Sequence, residues 1–185
     1  MSRVHELDLE ICWIEQQRDA NISAWLDAAM TVDLKGENDL TGLTRRNALQ
    51  QLHSQRQLAR IISTLSASRF DLFCLFRPDL LYLDPMPAET IWEMINDQGF
   101  ELLTPGWHAW SGLNDRFAFC SRRGVYAYLD RICLVQRFIR ETGGFHSESL
   151  LKFAADIAGL SHGTVDMRAR RVRADGTVKE ENFAE

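Results

Sequence analysis

The stretch Phe70-Asp71-Leu72-Phe73-Cys74-Leu75-Phe76 constrains this chain most, because a short, nearly continuous apolar run suits a central strand covered on both faces. It stops at Arg77-Pro78-Asp79, where the proline removes a ladder donor and marks a strand end. A strand of that kind needs layers above and below it, and the flanking sequence supplies them. Leu58, Ile61, Ile62 and Leu65 recur at helical spacing and predict a helix over 44–65, with a solvated, Gln-rich outer face. Leu80-Leu81-Tyr82-Leu83 briefly resumes extended structure. A helix over 88–97 then carries Ile91, Met94 and Ile95 inward and stops at Gly99.

Further on, 100–103 and 115–120 read as strands, with a turn at Pro105-Gly106 between them. Ser121 suits the N-cap of one long helix to about Glu141, with Val125, Tyr128, Leu129, Ile132, Val135 and Ile139 on one face. Ser147 caps a further helix, 148–158, closed by Gly159. Residues 164–174 alternate in part and turn at Asp175-Gly176, a hairpin signal. Ahead of all this, 10–30 holds a short strand and a short helix, and 31–44 reads as a surface loop. Strands alternating with helices give an α/β fold with a mixed sheet. Residues 1–178 form one domain, and 179–185 a flexible acidic tail.

A length of 185 residues allows one domain with a sizeable core. A net charge of −5 argues against nucleic-acid binding through the whole surface. No apolar run approaches the roughly 20 residues of a membrane helix. The amino terminus lacks an apolar signal core, so a cytoplasmic location is expected. Cys12, Cys74, Cys120 and Cys133 form no CxxC pair and read as reduced, mostly buried small apolar residues.

In α/β sheets ligands sit beyond the carboxyl ends of strands, which points first to Arg77 and Asp79. Asp79 could hold a divalent cation or a sugar hydroxyl, and Arg77 a phosphate; equally, the two could pair and brace a turn. Asp115 suits a general base and follows Asn114 and Gly112, or the segment is an Asx turn opening a strand. His146 and Glu148 stand where a helix begins and could meet a polar ligand, or Ser147 caps and Glu148 complements the dipole. Arg168, Arg170, Arg171 and Arg173 could meet a diphosphate or be solvated edge charges. Trp107, His108 and Trp110 share a Gly-flanked loop, where an aromatic ring either stacks on a sugar or base or is buried.

Taken together, four blocks in order resemble a group of GT-A-like glycosyltransferases from surface-polysaccharide gene clusters. The blocks are Phe70–Leu81, with its Arg-Pro-Asp-Leu-Leu; Asn114-Asp115-Arg116-Phe117-Ala118-Phe119-Cys120-Ser121; His146-Ser147-Glu148-Ser149-Leu150-Leu151; and Arg173-Ala174-Asp175-Gly176. The resemblance implies a GT-A-like mixed sheet flanked by helices, and sugar transfer from a nucleotide-sugar donor to the hydroxyl of a glycan acceptor. It implies Asp79 near the donor diphosphate and a manganese or magnesium ion, and Asp115 as the base. Arg77, Asn114, Trp107, His146, Glu148 and Arg173 would bind substrate. Two departures stand out: Arg-Pro-Asp replaces the usual Asp-x-Asp, and no nucleotide-gripping strand and glycine loop precedes Thr44, as if the fold were shortened at its amino terminus. The chain could accordingly work with a partner subunit or as a homo-oligomer. The alternatives are a non-catalytic relative serving as a binding or assembly module, and a sugar transferase acting on modified nucleic acid through the arginine-rich strand.

Overall fold

A computed structural model describes residues 22–34, 43–65 and 70–184. The strand expected within 10–30, and Cys12, fall outside them. The described chain begins with α1 (Ser23–Met30), β1 (Asp33–Leu34) and α2 (Leu43–Thr64). β2 (Phe73–Leu75), β3 (Leu80–Tyr82), α3 (Ala88–Asn96), β4 (Leu102–Pro105) and β5 (Ala118–Cys120) follow. Then come α4 (Arg122–Leu129), a 3-10 turn (Arg131–Leu134), α5 (Val135–Thr142) and β6 (Gly144–Phe145). The chain closes with α6 (Ser147–Ala158), β7 (His162–Val165) and β8 (Ala169–Arg171).

The class is α/β with a mixed sheet. Four strands run in the order β2-β5-β4-β7, with β4 and β7 parallel and the other pairs antiparallel. Alternation along the strands sorts the core into two layers. Leu102, Ala118 and Cys120 face Ala59 and Ile62 of α2, Val125, Tyr128 and Leu129 of α4, and Leu151 and Ala155 of α6. Leu103, Phe119 and Val165 face the other way, onto Ile91 and Ile95 of α3 and onto the antiparallel β3–β8 pair. A third cluster joins α1, α5 and the first half of α2 through Leu49, Leu52, Val135 and Phe138.

Several expectations need correction. The apolar run 70–76 is not a central strand: β2 holds only three residues, pairs with β5 alone and lies at the sheet edge. Phe76 is 45% exposed, yet it packs on the rings of Tyr82, Phe117 and Phe119. Aromatic residues that cover one another read, in sequence, like a strand covered by helices. Strands β4 and β5 lie within or beyond the spans expected of them, and Pro105 ends β4 in place of starting a turn.

The long helix expected to Glu141 is broken at Asp130, whose φ of −100° and ψ of 10° leave the helical region. That break lets Arg131 turn into the interior, its side chain 0% exposed. His146 N-caps α6 in place of Ser147: its side chain accepts from the Ser149 backbone N–H. Of the cysteines, Cys120 is buried but Cys74 and Cys133 are exposed. Two residues of the expected tail pack on the domain. Glu181 bonds Arg116 at 2.9 Å with its side chain 2% exposed, and the Phe183 ring meets that of Trp107 edge-on. Among the described residues no helix is long and apolar enough to cross a membrane.

Candidate functional site

The antiparallel pairing of β2 with β5 decides where the chemistry gathers. Leu75, the last residue of β2, sits opposite Ala118, the first of β5. The segment leaving β2 and the segment entering β5 therefore emerge at one edge of the sheet, which brings Arg77 and Arg116 together. Between them opens a cleft of about 440 Å³, lined also by Trp110, Asp115, His146, Glu148 and Arg171. Elements far apart in sequence thus contribute to one hollow.

Glu148 is the most perturbed group in it. Burial, then the neighbouring Asp115 carboxylate, push its carboxyl up to about 7. His146 stands 3.3 Å away, Nε2 to Oε2. Because the Ser149 N–H points at Nδ1, the geometry assigns the proton of a neutral imidazole to Nε2, from which it donates to Glu148. One histidine therefore caps the helix and orients the carboxyl at its start. Gly112 fixes the backbone beneath: a Cβ there would overlap the Glu148 carbonyl, and the Leu113 N–H donates to that carbonyl at 3.0 Å.

Asp115 is buried and held through one carboxylate oxygen and its backbone carbonyl. Arg131 Nη2 donates to its Oδ2 at 2.9 Å, the Ser147 hydroxyl donates to the same oxygen, and the Tyr128 hydroxyl donates to its backbone carbonyl at 2.6 Å. The guanidinium of Arg131 also lies 4.6 Å from the centre of the Tyr128 ring. One oxygen of the Asp115 carboxylate is thus taken up by a guanidinium and a hydroxyl in structural bonds. Glu148, by contrast, is the cleft carboxyl whose proton affinity is raised.

Asp79 is likewise committed, accepting from Arg77 Nε at 2.8 Å and Nη2 at 2.7 Å, with Arg171 Nε at 3.5 Å. The Arg77 hydrogen bonds hold its carboxyl below the usual range. A divalent cation at Asp79 would have to displace that fork, and one carboxylate offers too few oxygens for such an ion. Among the described residues no group of three or more His, Cys, Asp or Glu could hold a metal ion.

The cleft unites Arg77, Asp115, His146 and Glu148, as the sequence suggested, but not the other expected ligands. Trp107 is core, 4% exposed, its indole N–H bonded to the Met167 carbonyl. Asn114 is buried, donating to the Trp107 carbonyl and accepting from the Arg116 N–H at 2.9 Å, an Asx turn. Arg173 is exposed at the closing hairpin and lines no part of the cleft; Arg171 takes the place expected of it. Asp79 faces a neighbouring groove, and Arg77 borders both hollows.

Sequence reasoning missed Arg116 and Lys179, whose significance lies in tertiary contact alone. It undervalued Trp110, which is 55% exposed at the cleft rim. The loop bearing it holds three non-glycine residues in the left-handed region, His108, Trp110 and Ser111, at φ of 50°, 48° and 66°. Such backbone costs on the order of 1–3 kcal/mol per residue and gathers at functional sites. No family model, curated protein or solved structure matches this chain.

Proposed function

We propose that the chain is a glycosyltransferase of the GT-A-like kind, that the cleft is its transfer site, and that Glu148 is its base. The observation that carries this reading is the convergence, in one 440 Å³ cleft, of a carboxyl poised near neutrality with a cluster of cationic side chains. Four cations line the cleft (Arg77, Arg116, Arg171, Lys179) against two carboxyls (Asp115, Glu148), with Asp79 and Glu181 pairing the cations from its margins. That balance suits an anionic ligand, and more so when Glu148 is protonated.

In the proposed step, the Glu148 carboxylate takes the proton of an acceptor hydroxyl while the acceptor oxygen bonds to the anomeric carbon of the donor sugar. The bond from that carbon to the phosphate oxygen breaks, and its electron pair leaves with the nucleoside diphosphate. Arg116, Arg171 and Lys179, on the cleft wall, receive the anion. Trp110 offers a face for the nucleobase. Asp115 positions through Arg131 and Ser147 and does not itself move the proton.

Calorimetry with UDP-, GDP-, dTDP- and CMP-sugars tests the reading. Binding of one donor, with donor hydrolysis lost in Glu148→Gln while binding persists, supports it; absence of binding by all four classes overturns it. One observation favours a second reading, a binding module without catalysis: both Asp79 and Asp115 are consumed by guanidinium groups. Donor binding with no turnover, unchanged by Glu148→Gln, would select it.

A further inference from the structure

Beside the cleft lies a second hollow of about 680 Å³, whose chemistry is different. One wall is a face of α2 carrying Asn47, Gln50, Gln51, Ser54 and Gln55, residues at helical spacing that form a single stripe. The other wall is Phe76 through Asp79. The Gln-rich face that reads as mere solvated surface in the sequence is therefore one side of a groove.

We infer that this groove is a subsite for a neutral oligosaccharide, the acceptor in the proposed transfer; the inference rests on that reading for the acceptor role, not for binding itself. Three features carry it. Each terminal amide presents a donor and an acceptor on one planar tip, matching the adjacent hydroxyls of a sugar ring. The groove is electrically neutral, because its charges, Arg77 and Asp79, form a two-pronged pair with each other. Apolar surface stands beside the amides: Phe76 is 45% and Leu58 38% exposed, and a ring face can take the C–H face of a sugar.

A further observation points to a missing polar partner. Gln55 Oε1 is buried and accepts no hydrogen bond among the described residues, which is costly in a folded chain. Turning about its terminal torsion would present this oxygen to a hydroxyl seated in the groove. Arg77 ties groove to cleft, donating from Nη1 to Gln51 Oε1 at 3.1 Å while bordering the cleft. A glycan lying along α2 would then deliver its end to Glu148.

The test uses the full chain with cellotetraose, maltotetraose and chitotetraose, followed by saturation-transfer NMR and calorimetry. At least one tetrasaccharide is expected to bind. Gln55→Ala should weaken it about fivefold or more, the worth of one hydrogen bond. Ser54→Arg, at an exposed position that tolerates substitution, should abolish it, while Trp92→Ala, on the exposed face of α3 and outside both hollows, leaves it unchanged. Failure of all three sugars to bind, or binding indifferent to both groove variants, overturns the inference. Nucleotide-sugar binding on the same samples separates the two ideas. Donor binding without glycan binding sinks the groove alone, whereas glycan binding without donor binding sinks the transferase reading alone.

Discussion

Arg131 and Asp115 meet inside the protein at 2.9 Å, the guanidinium wholly buried and the carboxylate nearly so. Cutting one partner from such a pair strands the other charge in the interior, at a cost of about 3–5 kcal/mol. Asp115→Ala is therefore expected to lower unfolding stability by about that much in a urea titration. Asp115→Ala combined with Arg131→Met should recover much of the loss. Equal stability of Asp115→Ala and wild type would show that the pair is not formed.

The Glu148 carboxyl, held near 7, ties stability to pH, and the proposed transfer would respond to pH in the opposite direction. The folded state favours the protonated acid, so it binds more protons than the unfolded chain between the ordinary glutamate value of 4.5 and about 7. Stability from this group is present below 4.5 and falls as pH rises through 7. Glu148→Gln, which cannot ionise, should be the more stable protein at pH 8, by roughly 1–3 kcal/mol after allowing for partial exposure. Activity should instead rise through pH 7, as the base form appears. Thermal melts of both proteins from pH 4 to pH 8, and a rate profile, check the two slopes.

Gly112 supports Glu148 by having no side chain. Gly112→Ala would drive a methyl group into the Glu148 carbonyl and displace the first turn of α6. The expected loss is about 1–3 kcal/mol of stability. The apparent pKa of Glu148, followed by carboxyl NMR, should move back toward 4.5 as the turn loosens and water enters.

Trp110 pays a backbone cost without being buried. Trp110→Gly should match or exceed wild-type stability, by up to about 1 kcal/mol, because glycine adopts positive φ freely. The same change should weaken a nucleotide ligand by about 1–3 kcal/mol if a base stacks there, and leave inorganic pyrophosphate binding unaltered. Unchanged nucleotide affinity would remove the stacking role.

The Arg77–Asp79 pair is half open to solvent, with side-chain exposures of 25% and 35%. Asp79→Asn should cost no more than about 1 kcal/mol. Its larger effect should be on the groove, which would acquire a net positive charge from Arg77. Neutral sugars should then bind more weakly than acidic ones, as competition between maltotetraose and a tetragalacturonate would report.

How much of this was legible beforehand depends on the range over which each signal acts. The helix stops at Gly99 and Gly159 adopt positive φ, and the turn at Asp175-Gly176 closes through an Arg173 to Thr177 backbone bond. Those are local preferences, written in residue type and spacing. Arg77, Asp115, His146 and Glu148 were singled out because polar residues at element ends have few local roles. Their assembly into one cleft required the Leu75–Ala118 register, which no local pattern encodes.

The sequence by itself determined the α/β class, the positions of most helices and the short list of chemically able residues, because periodicity, capping and turn chemistry act over a few residues. Tertiary structure alone decided which carboxyl is free to act. Asp115 and Glu148 are both acidic residues at element boundaries, and nothing along the chain separates them. Arg131, turned inward by a helix break sixteen positions later, neutralises the first. Burial, with the Asp115 carboxylate beside it, leaves the second poised. Charge in a low-dielectric interior is settled by neighbours in space, and those neighbours come from every part of the chain.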